Sequence, residues 1–405
     1  MAAAARPPRA LVIGGSLGGL FAANLLLRQG WDVDVFEQSA EPLAGRGAGI
    51  ITHPDLFAAL ERIGIATHDG IGVDIEGRVA FARDGAVLGT LPIRQCLTTW
   101  GRLHELLLAA FPATRYHLGH AFAGVEQDAD GVNAHFRNGA VTRGDLLIGA
   151  DGIRSVVRAQ ISPETMPRYA GYIAWRGLVD ENELAPQTRR DLFPKFAFSL
   201  APSEHMLGYP VAGFSHSTRA GERCFNFVWY RPTHAERDLP ELCTDIHGRR
   251  HDMSIPPPLI RPEVIAAMRN AAREHLSPQF AEVVARTRQP FFQAIFDLES
   301  ARMDFGRIAL LGDAAFVARP HVGMGVSKAA GDALALAALL RNSGNNFTSA
   351  LPDYSVQRLR FGRAVVAHAR ELGAYLEACA AGKIAATEGH TPEAVMRDIA
   401  VTRAF

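Results

Sequence analysis

Three places in this chain set an acidic side chain beside a glycine-rich turn. The last reads Gly312-Asp313-Ala314-Ala315-Phe316, followed by Arg319-Pro320-His321-Val322-Gly323-Met324-Gly325-Val326. An acid, a proline and glycines at the head of a helix suit a ligand with an anionic part. Glycine lets backbone approach closely, and a helix start offers unpaired N–H groups and positive dipole character.

The first place is N-terminal. Leu11-Val12-Ile13 runs into Gly14-Gly15-Ser16-Leu17-Gly18-Gly19 and an apolar helix over Leu20–Arg28; a second strand, Asp32–Phe36, ends in Glu37 and Gln38. This is the βαβ dinucleotide pattern, with an acid at the ~20-residue offset expected for a ribose hydroxyl contact. Gly14 permits the tight turn and Gly19 close packing of helix on strand. Ser16 replaces the usual middle glycine, yet its N–H stays available and its hydroxyl could sit beside a diphosphate. The second place is the strand Asp145–Ala150 leading into Asp151-Gly152-Ile153-Arg154-Ser155.

In that order and at those separations, the three motifs resemble the single-component FAD-dependent aromatic hydroxylases, over roughly residues 9–340. The wording of Ala174-Trp175-Arg176-Gly177, Phe227-Val228-Trp229-Tyr230 and the Gly312–Pro320 loop looks most like the branch that hydroxylates dihydroxypyridines. Two departures stand out: Phe316 where histidine is common, and Ala318-Arg319-Pro320-His321 in place of the commoner loop. The resemblance implies FAD as cofactor, NADH or NADPH as transient reductant, and a small aromatic substrate with O2. It implies that Asp313 bonds the ribityl chain, with Gly312, Gly323, Gly325 and Val326 around it. It also implies that Gly49 adjoins the isoalloxazine, that Arg46 and Arg102 meet the ribitol and phosphate region, and that Asp151 serves both nucleotides. A guanidinium suits phosphate because it donates several bonds in a fixed fork.

The implied cycle reduces the flavin, adds O2 at its C4a atom and delivers the distal oxygen of the hydroperoxide to an electron-rich ring. The protein must then stabilise negative charge on reduced flavin, exclude water and help ionise a ring hydroxyl. The helix entrance at Gly323–Val326 suits the first task. For the third, His53 and Tyr209 are the candidates, since a histidine titrates near neutral pH and Tyr209 stands before Pro210 on a strand. Pro320 belongs to the same catalytic set, and His321 is a loop-shaping alternative.

These residues need an α/β frame. Residues 9–75, 98–171 and 288–340 read as a discontinuous Rossmann-like FAD-binding unit. Residues 76–97 and 172–287 read as an inserted antiparallel sheet domain, with strands near Ile173–Val179, Lys195–Leu200, His205–Val211 and Arg223–Tyr230. Residues 341–405 form a C-terminal helical segment, which could support a homodimer. A chain of 405 residues with net charge zero suggests about two domains and neither a nucleic-acid nor an anionic-membrane partner. The four cysteines are scattered, without metal-site or dithiol spacing. With no run of ~18 apolar residues and no signal peptide, a cytoplasmic protein is expected. Two other functions would use the same residues: oxidation of a larger polyketide-like ring, or flavin binding without turnover, as in a sensor.

Overall fold

The structure, a computed structural model, describes residues 6–43, 48–67, 70–344, 346–381 and 391–401. Its first layer is a six-stranded sheet in the order Asp304–Phe305, Ile308–Leu310, Leu146–Gly149, Arg9–Ile13, Asp32–Phe36, Tyr116–His117. All pairs are parallel except the one at the Asp304–Phe305 edge. Ala10, Leu11, Val12, Leu146, Leu147 and Ile148 are completely buried. Such continuous apolar runs are what a parallel sheet covered on both faces requires.

The register carries the functional consequence. Phe36 pairs with Ile13, Ile13 with Gly149, and Gly149 with Leu310. Four parallel strands therefore finish in one row. The segments leaving that row are Glu37, Gly14–Ser16, Asp151–Ser155 and Gly312–Asp313, the acid-and-glycine motifs of the sequence. Ligands of open parallel sheets bind at this carboxyl edge. Helices Leu17–Leu27 and Gly325–Asn342 start there and pack against each other along the sheet face.

The second layer is an eight-stranded sheet in the order Phe316–Val317, Phe291–Glu299, Arg168–Asp180, Cys224–Pro232, His205–Val211, Lys195–Ser199, Gly77–Phe81, Val87–Leu91. Only the Lys195–Ser199 and Gly77–Phe81 pair is parallel. The sequence reading puts residues 288–340 in the cofactor unit. Phe291–Glu299 nevertheless pairs with Arg168–Asp180, and Phe316–Val317 follows it into the same sheet. Its aromatic and β-branched residues favour a strand without saying which neighbour it will find. Gln95–Thr99 likewise joins Gly49–Ile51 and Val73–Ile75 in a small separate sheet.

The long helix Phe347–Ala380 crosses both layers, and the short helix Pro392–Asp398 packs on strands Gly77–Phe81 and Val87–Leu91. No helix among the described residues is long and apolar enough to cross a membrane. The terminal turn is held by Arg78, completely buried, which donates to the carbonyls of Met396 (2.8 Å), Ile399 and Ala400 (2.9 Å). Burial lowers its pKa to about 10. Gln95 Nε2 also donates to Ala400 O at 3.0 Å. Arg78→Met should leave these carbonyls without their strongest donor and cost about 2–4 kcal/mol. Urea unfolding checks this, with proteolysis beyond residue 381 expected to accelerate.

Candidate active site

At the first motif the backbone turns at Gly14, whose φ is +108° and whose N–H donates to Phe36 O at 2.9 Å. A Cβ there would stand 2.4 Å from Ala150 O, and one on Gly19 would stand 1.9 Å from Gly14 O. Both glycines are demanded by close approach. Gly15, to which the sequence reading gives no role, is crowded by side chains rather than backbone: a Cβ would lie 2.2 Å from the Tyr116 hydroxyl oxygen. Its N–H donates to Glu37 Oε2 at 2.9 Å, and its carbonyl accepts from Tyr116 at 2.9 Å. Glu37 Oε1 accepts from Ser39 N–H at 2.9 Å. The acid thus braces the loop from beneath while bordering the cleft. Ser16 caps the helix without a side-chain bond, leaving its hydroxyl for the cleft.

Asp151 is committed locally. It accepts from Ser155 Oγ (2.5 Å), Val156 N–H (2.7 Å) and Val157 N–H (3.1 Å), closing the start of helix Val156–Ile161. Burial raises its pKa, against those bonds. Asp313 stands in the Gly312–Ala314 turn with its carboxylate about half exposed (51%). That exposure is to an interior groove, so desolvation raises its pKa while Lys328, 4.0 Å away, opposes the shift.

Two cavities result. One, about 790 Å³, is bordered by Gly14, Ser16, Leu17, Glu37, Gln38 and Asp151, and by Gly312, Asp313, Gly325 and Val326. The other, about 360 Å³, opens between the layers against Gly49, Tyr209, Tyr230, Pro320, Gly323 and Arg176. Arg154, Gln293, Asp313, Gly325 and Val326 line both, so cleft and chamber are continuous. At the junction, a Cβ on Gly325 would meet nothing within 4 Å, and helix Gly325–Asn342 has no side-chain cap. Its first N–H groups are therefore open to a ligand.

Two expectations are not met, and a third falls on a residue that the structure does not describe. His53 lies outside the chamber lining; it is 2% exposed, with Nε2 3.2 Å from Gly323 O. Burial lowers its pKa to about 4, partly offset by that bond. A neutral imidazole turned to the loop carbonyl is not placed to take a proton from a ring. Arg102 borders neither cavity, donating instead to Gly70 O (3.1 Å) and Glu105 (3.2 Å). Arg46 lies outside the described residues. Conversely, sequence reasoning missed Arg176, Tyr230, Arg154 and Gln293. Only strand alternation, with Arg176 and Tyr230 among apolar neighbours, could have signalled the first two.

Comparison with known proteins bears on this arrangement. A family profile described as FAD binding domain-like matches residues 169–297. The chain is 32% identical over 370 residues to 2,6-dihydroxypyridine 3-monooxygenase of Paenarthrobacter nicotinovorans, covering 91% of each chain. It belongs to the FAD-dependent aromatic hydroxylases. Among solved structures, 2,6-dihydroxypyridine-3-hydroxylase from Arthrobacter nicotinovorans superimposes with a TM-score of 0.86 at 31% identity, over 91% of this chain and 93% of that one. A Klebsiella pneumoniae HpxO variant complexed with FAD gives 0.74 at 25% identity, over 93% and 91%.

FAD is the cofactor of this hydroxylase family, and the residues present fit it. The glycine turn leaves no Cβ in the way, the cleft is long enough to continue past Asp313 into the chamber, and an uncapped helix start faces the junction. Two outcomes are expected. Glu37→Ala, which removes both acceptor oxygens beside the cleft, should weaken FAD binding about 10–100-fold in a fluorescence titration. His53 also carries a pH signature. Its folded pKa lies below the unfolded value of 6.5, so the unfolded state binds more protons between them. Stability present above pH 6.5 is therefore lost as pH falls towards 4. The loss should reach about 3 kcal/mol relative to His53→Asn in urea unfolding at a series of pH values.

Proposed function

We propose that this chain is an FAD-dependent monooxygenase that consumes NADH or NADPH and O2 to hydroxylate one small hydroxylated aromatic or N-heteroaromatic ring. The observation that carries the reading is the chamber of about 360 Å³ joined to the cofactor cleft at Asp313, Gly325 and Val326. Its size is near the lower end of the roughly 300–1,000 Å³ common for small-molecule sites. That favours a single ring over a polyketide.

When bound, FAD supplies the two-electron chemistry and the activation of O2. The chain's own residues do the rest. Pro320 and Gly323 shape the wall beside the cleft, and His53 holds the Gly323 carbonyl. The open start of helix Gly325–Asn342 favours negative charge at the face it meets. Tyr209 and Tyr230, 2% and 1% exposed, have their pKa values raised by burial. They stay protonated at neutral pH and serve as hydrogen-bonding groups towards ring oxygens, not as bases. The eight-stranded sheet contributes Leu207, Val228 and Ile295 to the chamber wall, and such apolar walls would keep water away from a bound flavin.

The test is NADH and NADPH oxidation by the FAD-loaded protein, with hydroxylated product and peroxide quantified separately. The substrate panel contains hydroxypyridines, hydroxybenzoates and a polycyclic phenol. Coupled product from a single-ring compound is expected, and none from the polycycle. Reductant consumption that no ring stimulates would overturn the reading in favour of a flavin-binding protein without turnover. Tyr209→Phe should weaken ring binding about 2–10-fold, read from the flavin absorbance change.

A further inference from the structure

Resting on the reading of this chamber as the ring site, we propose that Arg176 recognises negative charge on the substrate, so that the ring enters as an oxyanion. The sheet register puts Arg176 at the centre of the chamber wall. It pairs with Val228, which pairs with Leu207, and all three line the chamber. The row beyond is Leu178, Asn226 and Tyr209; the row before is Ala174, Tyr230 and His205. Arg176 is thus a cation surrounded on its face by aliphatic, phenolic, amide and imidazole side chains.

What Arg176 lacks is an acceptor. Its Nε is closed off from solvent without a hydrogen-bond partner. Among the described residues, the four arginines that are buried outright are each engaged. Arg78 and Arg158 bond backbone carbonyls, Arg319 bonds Asp297, and Arg358 bonds Asp332. Among the described lining residues the one carboxylate is Asp313, at the mouth, where Lys328 faces it. The other lining guanidinium, Arg154, donates to Ser254 Oγ at 2.9 Å. A second donor on the Arg176 face is also unmatched: Asn226 Nδ2 is buried without an acceptor, its Oδ1 being taken by Gly49 N–H at 2.9 Å.

A wall with surplus donors and a positive charge is complementary to an acceptor that carries negative charge. The charge also acts on its neighbours, opposing the burial that raises the pKa values of Tyr209 and Tyr230. The planar fork of a guanidinium matches either a ring carboxylate or an ionised ring oxygen. Both sources present the same chemistry to Arg176, and paired probes separate them.

The experiment reads dissociation constants from flavin absorbance in the FAD-loaded protein, with neither reductant nor turnover. Failure of the anion assignment is thereby distinct from failure of the monooxygenase reading. One pair of probes is 3-hydroxybenzoate and the neutral 3-hydroxybenzamide. The other is 4-nitrophenol above its pKa and 4-nitroanisole. The wild type should prefer the anion of at least one pair by about 10–100-fold, and the pair that shows the preference identifies the source. Arg176→Met should abolish the preference and leave the neutral probe within about threefold, while Arg176→Lys should retain part of it. Equal or undetectable binding of both members of both pairs by the wild type overturns the proposal. So does a preference that survives in Arg176→Met, or equal weakening of anion and neutral probe. Should Arg176→Met not fold, the wild-type pairs and Arg176→Lys still decide.

Discussion

The buried carboxylate of Asp332 is the interaction on which the shape of the site depends. It is 2% exposed and accepts from Gly312 N–H at 3.0 Å and from Arg358 Nε at 2.6 Å, with Lys328 Nζ 3.8 Å away. One side chain therefore joins the Gly312–Asp313 turn, the first turns of helix Gly325–Asn342 and the long helix Phe347–Ala380. A carboxylate out of water is costly unless it is paired and hydrogen-bonded. Here the partners are two cations and a backbone N–H, so the arrangement holds together as a unit. Asp313, the acid that borders both cavities, inherits its place from this unit.

A second ionic cluster joins the layers. Arg319, 2% exposed, donates to Asp297 at 2.8 Å and to Glu377 at 2.7 Å, and Arg370 reaches Asp297 and Glu299. Asp297 and Glu299 belong to the sheet, Arg319 precedes Pro320 in the cofactor loop, and Glu377 and Arg370 lie on the long helix. The loop that shapes the chamber is thereby fixed to the sheet that roofs it. Tyr172, stacked within 5.8 Å of the Arg319 guanidinium and 2.9 Å from His321 Nε2, extends the contact behind the chamber. His321 is completely buried there and is not among the residues that line the chamber.

Much of the site was legible because its chemistry is local. Gly14, Glu37 and Asp313 follow strand ends, and Gly19 lies in the first turn of the helix that comes next; close approach demands the two glycines, Gly19 against Gly14 O and Gly14 against Ala150 O. The strand and helix ranges around them, such as helix Pro54–Ile63 and strand His205–Val211, follow from periodicity and proline placement. His53 and Arg102 turn away from the cavities, although the first is expected there from its proximity to a glycine loop and the second from family resemblance. Sequence proximity to a glycine loop says that a side chain is near the cofactor region. It does not say which way the side chain turns, and burial turned His53 towards Gly323 O.

By itself the sequence determined the dinucleotide turn, the three acid-and-glycine motifs in order, the presence of a second, sheet-rich unit and the family. All of these are carried by spacing along the chain. Tertiary structure alone decided that four strand ends finish in one row, that Phe291–Glu299 joins the eight-stranded sheet, and that Ala400 walls the chamber. It alone also left Arg176 unpaired within that wall. Register and the pairing of charges are set by contacts between segments far apart in the chain, and those contacts exist only once the two layers have closed.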